Sequence, residues 1–95
     1  MIKHLDIRVH GKVQGVLFRI TTKAVADQLG VRGFIANEDG GQVFIAAEAD
    51  SATLEMFLEW CHDGPEHAKV DTVETSDGEL KNYRNFEVVK KMPTH

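Results

Sequence analysis

The chain has 95 residues, 42% of them hydrophobic and 27% charged, a composition that fits one small globular domain and excludes a disordered chain. A formal net charge of −4 argues against general binding of nucleic acids or anionic membranes. The single cysteine excludes an internal disulfide, no apolar run reaches membrane-spanning length, and no signal peptide opens the chain, so we expect a cytoplasmic protein.

The first two predicted elements are a strand and a helix. Residues 2–10 alternate between apolar and polar side chains, which is typical of a strand with one buried face. Its core-facing residues are Leu5, Ile7 and Val9, and its outward-facing residues are His4, Asp6, Arg8 and His10. Residues 19–29 follow helical spacing, and Gly30 suits the C-cap of that helix. The apolar face of the helix is formed by Phe18, Thr22, Val25 and Leu29.

Two strands and a second helix follow. Residues 31–36 and 42–48 predict strands, and the loop between them, residues 37–41, is rich in Asn, Asp and Gly, which tolerate positive φ. Asp50 or Ser51 can cap the second helix, because short polar side chains accept hydrogen bonds from first-turn amides. The apolar stripe of this helix consists of Leu54, Phe57, Leu58 and Cys61.

The last third of the chain gives weaker signals. A Gly-Pro pair at residues 64–65 ends the second helix, and residues 68–75 predict a strand although their alternation is poor. Residues 76–82 are polar and predict a turn, and residues 86–89 predict a short final strand. The terminal segment from Lys90 onward is expected to fray.

The predicted order is β-α-β-β-α-β with a short strand after it. Two helices that each bury one stripe on the same face of a mixed, mostly antiparallel sheet give the α+β, ferredoxin-like split βαβ arrangement. We therefore expect one domain over residues 1–90 and a frayed tail over residues 91–95. The pattern does not predict the order of strands in the sheet.

A glycine-bearing turn, residues 11–19, connects the first strand to the first helix, with the sequence Gly-Lys-Val-Gln-Gly-Val-Leu-Phe-Arg. Such a turn points several backbone N–H groups at one place, where the helix dipole adds positive potential. Residues 7–26 contain no Asp or Glu but include Arg8, Lys12, Arg19 and Lys23. These features predict an anion site, although a plain connection is an equally good interpretation of the turn alone. The glycine spacing fits neither a nucleotide P-loop nor a dinucleotide fingerprint.

Other catalytic groups are scarce. Cys61 lies on an apolar stripe and is interpreted as an inert core residue, and neither the pair His4 and His10 nor the pair His62 and His67 has a strong metal-ligand spacing. What remains is the turn together with an arginine and an asparagine. A reaction that uses only these groups needs a leaving group that departs with little protonation.

The arginine and the asparagine that remain each suit one task, namely holding a phosphate or holding a water. Arg19 offers a planar fork for a phosphate, and Asn37 can hold a water in one orientation. Taken alone, Asn37 at the entry to a hairpin is better interpreted as a turn former. Arg19 alone would be a solvated arginine, although a cation in the first turn opposes the helix dipole.

Residues 11–19 resemble the first signature of the acylphosphatase family, and residues 33–41, Gly-Phe-Ile-Ala-Asn-Glu-Asp-Gly-Gly, resemble its second. The resemblance covers nearly the whole chain. It implies a ferredoxin-like fold and hydrolysis of acyl phosphates to a carboxylate and orthophosphate, without a metal or an organic cofactor. It also implies that Arg19 binds the substrate phosphate and that Asn37 orients the nucleophilic water. The implied phosphate cradle consists of the amides around Gln14, Gly15, Val16, Leu17 and Phe18.

The chain departs from residues that are frequent in the family at Leu17, Ile20, Phe34, Ala36 and Gly41. These departures leave the rate, the substrate preference and the rigidity of the second loop open. The expected partner is a small-molecule acyl phosphate, with no nucleic acid and no membrane, and the expected state is a free-standing monomer.

Two other interpretations are kept. A non-catalytic module of the same fold would bind small anions or carboxyl-phosphates, or regulate a partner, and the intact Arg19 and Asn37 favour the enzyme over it. Binding of single-stranded RNA on an exposed sheet face is disfavoured by the acidic balance, and by Phe44 being the one aromatic judged suitable for stacking.

Overall fold

A computed structural model describes residues 1–91 of the chain, with side chains through Lys90. The elements are β1 (Ile2–Lys12), α1 (Phe18–Leu29), β2 (Arg32–Asn37), β3 (Val43–Asp50), α2 (Ser51–Asp63), β4 (Lys69–Gly78) and β5 (Phe86–Lys91). Both helices end where the sequence predicts, at Gly30 and Gly64, whose amides bond back to the last helical turn. Of the two predicted caps for α2, Asp50 accepts a hydrogen bond from the amide of Thr53.

The strands form one sheet in the order β4-β1-β3-β2-β5. Only the β2–β5 pair among these is parallel, and the other neighbours are antiparallel, so the predicted mixed, mostly antiparallel sheet is confirmed. Both helices pack on the same side of this sheet. The predicted α+β ferredoxin-like arrangement is therefore confirmed, with β5 added beside β2.

The core lies between the helices and the sheet. Ile7, Ile45 and Ile35 are paired across three neighbouring strands and are fully buried. Three phenylalanine side chains are also buried in this core, namely Phe18 from α1, Phe57 from α2 and Phe86 from β5. Cys61 is also fully buried, and desolvation raises the pKa of its thiol to about 12, which fits an inert packing residue.

The predictions for the last third of the chain needed correction. Residues 76–78 were predicted as a turn, but they continue β4, because their backbone pairs with β1 whatever side chains they carry. Lys90 and Lys91 were predicted to fray, yet both belong to β5, where Lys91 pairs with Asn37 of β2. The rest of that predicted tail, residues 92–95, lies outside the described residues.

Neither helix of residues 1–91 packs on the other side of the sheet, which is called the helix-free face. Among the side chains on it are His4, Asp6, Arg8, Phe44 and Glu48. His4 lies on this face as predicted, yet it is buried, as is Glu48. The irregular segment 79–85 is bonded to the Glu48 carboxylate, which accepts hydrogen bonds from the amides of Lys81 and Tyr83 at 2.7 and 3.2 Å.

His4 completes this buried network. Its Nδ1 lies 2.8 Å from Oε2 of Glu48, and its Nε2 lies 2.7 Å from Oδ1 of Asp6. Burial alone would lower the pKa of His4, but the hydrogen bonds to the two carboxylates raise it above 6.5. Burial alone would also raise the pKa of Glu48, but the Lys81 amide and His4 hold it below 4.5. We call this set the His4–Glu48 clamp.

Candidate active site

The turn before α1 has an unusual backbone. Gly15 and Leu17 both have left-handed conformations, with φ of 72° and 62°. A Cβ on Gly15 would meet no atom within 4 Å, so glycine is favoured there by the dihedral angle and not by space. Alternating left-handed and right-handed residues turn successive N–H groups inward, which is the geometry of an anion-binding nest.

The amides of this turn are available to a ligand. Within residues 1–91, the amides of residues 14–17 donate no hydrogen bond to a backbone carbonyl. The first amides of α1, which begins at Phe18, have no intrahelical acceptor either. The side chains of Val16 and Phe18 pack into the core, where the Phe18 ring lies 5.8 Å from that of Trp60. The fully buried Phe18 can therefore contact a ligand only through its backbone, whereas Val16 is only partly buried.

Arg19 and Asn37 come together at one pocket of about 180 Å³, which is also lined by Val13, Gly15, Leu17, Phe18 and Ile20. Arg19 lies in the first turn of α1, and its Nη1 donates to the carbonyl of Val89 on β5 at 3.0 Å. This bond anchors the guanidinium, and since the group carries five N–H donors, others can serve a ligand. The first side chain of the predicted pair is thus held at the mouth of the turn.

Asn37 is the last residue of β2, and β2 brings it to the same pocket. Its Oδ1 is buried, and within the described residues it accepts no hydrogen bond. Buried polar atoms are satisfied in the great majority of cases, so an exception of this kind marks a place where a water or ligand donor belongs. A mere turn former would have used this oxygen to accept a local backbone amide.

Gln14 has a role that the sequence did not reveal. Its side-chain Nε2 donates to the carbonyls of Glu38 and Gln42 at 2.9 and 2.8 Å, and the Glu38 amide donates to the same Gln42 carbonyl at 3.0 Å. One amide group thus ties the first turn to both ends of the β2–β3 loop. No local pattern signals such a contact, because the partners lie 24 and 28 residues away.

A second, more polar depression of about 480 Å³ shares Arg19 and Asn37 with the first pocket. Its other lining residues are Gln14, Glu38, Asp39, Gly40, Gly41 and Lys90. Glu38 is held by Arg8, whose Nε donates to its carboxylate at 3.0 Å. Two depressions of different polarity therefore meet at the same arginine and asparagine.

The helix-free face carries a separate pocket of about 470 Å³, whose lining includes Phe34, Tyr83 and Val89 but neither Arg19 nor Asn37. Rings of Phe34 and Phe44 lie 5.7 Å apart, and Tyr83 lies 6.0 Å from Phe34. The interpretation of Phe44 as the one aromatic suitable for stacking on this face was therefore wrong. Strand pairing brings the Phe34 ring beside it, and the 79–85 segment brings the Tyr83 ring beside Phe34.

The described part of the chain has neither a cluster of metal ligands nor a helix that could span a membrane. Within residues 1–91, no group of three or more His, Cys, Asp or Glu side chains is arranged to hold a metal ion. Neither of the two helices there has the length and apolar character needed to cross a membrane.

Known proteins match both the sequence and the fold. The acylphosphatase family model matches residues 5–88. An acylphosphatase of a Nocardioides species is 43% identical over 84 residues, covering 88% of this chain and 85% of that protein. The acylphosphatase of Archaeoglobus fulgidus is 44% identical over 84 residues, covering 88% of this chain and 94% of that protein. The crystal structure of the acylphosphatase from Bacillus subtilis superposes with a TM-score of 0.89 at 32% identity, covering 94% and 99% of the two chains.

The ferredoxin-like fold and these matches define a small hydrolase. The chain belongs to the acylphosphatase family. Its activity is the hydrolysis of acyl phosphates, so its substrate is a small molecule.

Proposed function

We propose that the amides of residues 14–18 and the Arg19 guanidinium hold the phosphoryl group while Asn37 orients the attacking water. The water oxygen bonds to phosphorus, the bond from phosphorus to the acyl oxygen breaks, and the carboxylate leaves with the bonding electrons. The proton lost by the water ends on the products, giving orthophosphate and a carboxylate. Because the leaving group is a weak base, no side chain has to donate a proton to it.

The buried oxygen of Asn37 carries this proposal. Among described residues it is a buried side-chain acceptor without a donor, at the pocket that Arg19 also lines. A water that donates to this oxygen would direct a lone pair toward a phosphoryl group held by the turn. Positioning and charge stabilisation are the main tasks in phosphoryl transfer, and this set of groups supplies both.

The rest of the proposal concerns the setting of this reaction. We infer that residues 1–91, which include all of β5, form a single domain that works without a metal or an organic cofactor. We further propose that it acts as a cytoplasmic monomer with no nucleic-acid or membrane partner, in line with a pI near 5.7. Salt-sensitive retention on single-stranded RNA would contradict the part about nucleic acids.

The test is benzoyl phosphate hydrolysis by purified protein in excess chelator. Wild-type protein should turn the substrate over, and Arg19→Ala should lower kcat/KM by at least about 10³-fold, because a cation on the transferring phosphoryl group is lost. Arg32→Ala is the matched control, since Arg32 is exposed and lies at the opposite end of β2 from Asn37.

Three results would contradict the proposal. Turnover that vanishes with chelation would make the reaction metal-dependent. Equal activity of Arg19→Ala and Arg32→Ala would remove Arg19 from the mechanism. Phosphate binding without any turnover would favour the non-catalytic anion-binding module of the same fold.

A further inference from the structure

Two large apolar side chains stand at the mouth of the phosphate pocket. Leu17 and Ile20 both line it, yet they are 70% and 66% exposed. Because both line the same small pocket, their side chains give it an apolar wall. The polar depression with Glu38 and Lys90 adjoins this pocket, since Arg19 and Asn37 line both.

Leu17 is unfavourable for the fold in three separate ways. It has a left-handed φ of 62°, which costs free energy for any residue with a side chain. It occupies the N-cap of α1 without a side-chain hydrogen bond, where Ser, Thr, Asp, Asn or Gly would be better. It also exposes most of an apolar side chain. A residue that opposes its local preferences without a structural gain points to a functional role.

We propose that Leu17 and Ile20 form the binding wall for the acyl group and select acyl phosphates with an apolar aromatic or aliphatic body. This inference rests on the proposed function, because it starts from a phosphoryl group held by the turn and Arg19. An acyl group on the apolar wall covers two exposed side chains and removes apolar area from water.

The geometry of the reaction favours this side of the pocket. In-line displacement puts the attacking water and the leaving carboxylate on opposite sides of phosphorus. With the acyl group on the Leu17 and Ile20 wall, the polar depression remains open for the water, and Asn37 borders both. If the acyl group lay in the polar depression instead, the water would lie against the apolar side chains of Leu17 and Ile20. The apolar part of the substrate would then lie against Glu38 and Lys90.

The experiment compares kcat/KM for benzoyl phosphate and acetyl phosphate in wild type, Leu17→Ala, Ile20→Ala and Met56→Ala. Each of the first two variants should lower the benzoyl-to-acetyl ratio about five- to tenfold, as expected for truncating one apolar contact. The loss should be mainly in KM for benzoyl phosphate, because the contact is with a part of the substrate that does not react. Met56 is a matched control, since it is 56% exposed and lies on α2, outside both depressions.

A second readout separates selection from folding. Leu17→Gly should raise Tm by about 4 °C, because glycine relieves the left-handed strain, while it lowers the benzoyl-to-acetyl ratio. An unchanged ratio in Leu17→Ala and Ile20→Ala, with wild type active on both substrates, would overturn this inference alone. Failure of wild type to hydrolyse either substrate would overturn the proposed function and this inference with it.

Discussion

Residues 14–17 and residues 79–85 are both irregular backbone, one at the start of α1 and one on the helix-free face, but their amides have opposite fates. The amides of residues 14–17 donate to no backbone carbonyl within the described chain, and the left-handed Gly15 and Leu17 line a pocket. The amides of Lys81 and Tyr83 donate to the buried Glu48 carboxylate.

The difference shows how one chain builds a binding loop and a structural loop from the same groups. Where a fixed internal carboxylate accepts the amides, the segment is held in place and cannot bind a further anion there. Where the amides lack an acceptor, the loop needs another support, and the Gln14 side chain supplies it by bonding the β2–β3 loop. Each of the following changes should disturb one segment and spare the other.

The largest remaining effect is expected at the binding loop. Asn37→Ala should lower kcat about 10²-fold, because the attacking water loses its orienting acceptor. The inhibition constant of orthophosphate should change little, since Arg19 and the turn amides are intact. Steady-state kinetics with phosphate as a competitive inhibitor measures both quantities, and equal losses in kcat and in phosphate affinity would show that Asn37 holds the anion instead.

The next effect falls on the structural loop. Glu48→Gln should lower the free energy of unfolding by about 2 kcal/mol, because the Lys81 and Tyr83 amides and His4 lose a charged acceptor. The kcat of the folded variant should be retained. Urea unfolding beside Glu74→Gln is the measurement, since Glu74 forms an exposed pair with His10 that should contribute little. Equal stability of the two variants would contradict the clamp.

A smaller effect is expected from the support of the binding loop. Gln14→Ala should lower kcat about tenfold and the free energy of unfolding by about 1 kcal/mol, because two carbonyls lose their shared donor. Gln14→Glu keeps the shape of the side chain but replaces the amide donor with a carboxylate. The carboxylate oxygens would repel both carbonyl oxygens, so the kcat of this variant should be lower still. A Gln14→Glu variant that is as active as wild type would exclude the bracing role.

The smallest effect is a pH dependence of the clamp. Since the pKa of His4 is raised in the folded protein, the folded state binds more protons between pH 6.5 and the raised value. Its contribution to stability is therefore complete below pH 6.5 and is lost as the pH rises through the folded pKa. Urea unfolding from pH 6 to pH 9 should show this decline in wild type and in His10→Gln but not in His4→Gln. The same decline in His4→Gln would assign it to another group.

The sequence predicted the parts of this molecule that depend on local periodicity. Helical spacing located both helices within a residue or two. The cap at Gly30 was predicted correctly and Asp50 was one of two predicted caps, because capping depends on residues close in the chain. The order of strands and the extension of β4 over residues 76–78 were not predictable, because backbone pairing with β1 does not require apolar side chains.

The residues of the candidate site were predicted from the sequence, but their long-range contacts were not. Resemblance to the two signatures located Arg19 and Asn37, and the fold brings them to one pocket. The bridging role of Gln14 and the burial of His4 with Glu48 were not predicted, since each depends on a contact across more than twenty residues. Alternation alone assigned His4 to an outward face, which is correct, but it could not show that the 79–85 segment covers it.

The most direct test of the central claim is a titration of isotope-labelled protein with orthophosphate, followed by the amide ¹H and ¹⁵N chemical shifts. Saturable shifts are predicted for the amides of residues 14–19, with those of Lys81 and Tyr83 unmoved, and with weaker binding in Arg19→Ala. Shifts of equal size in the 79–85 segment, or a turn that does not respond at saturating phosphate, would contradict the claim that the free amides before α1 form the phosphate site.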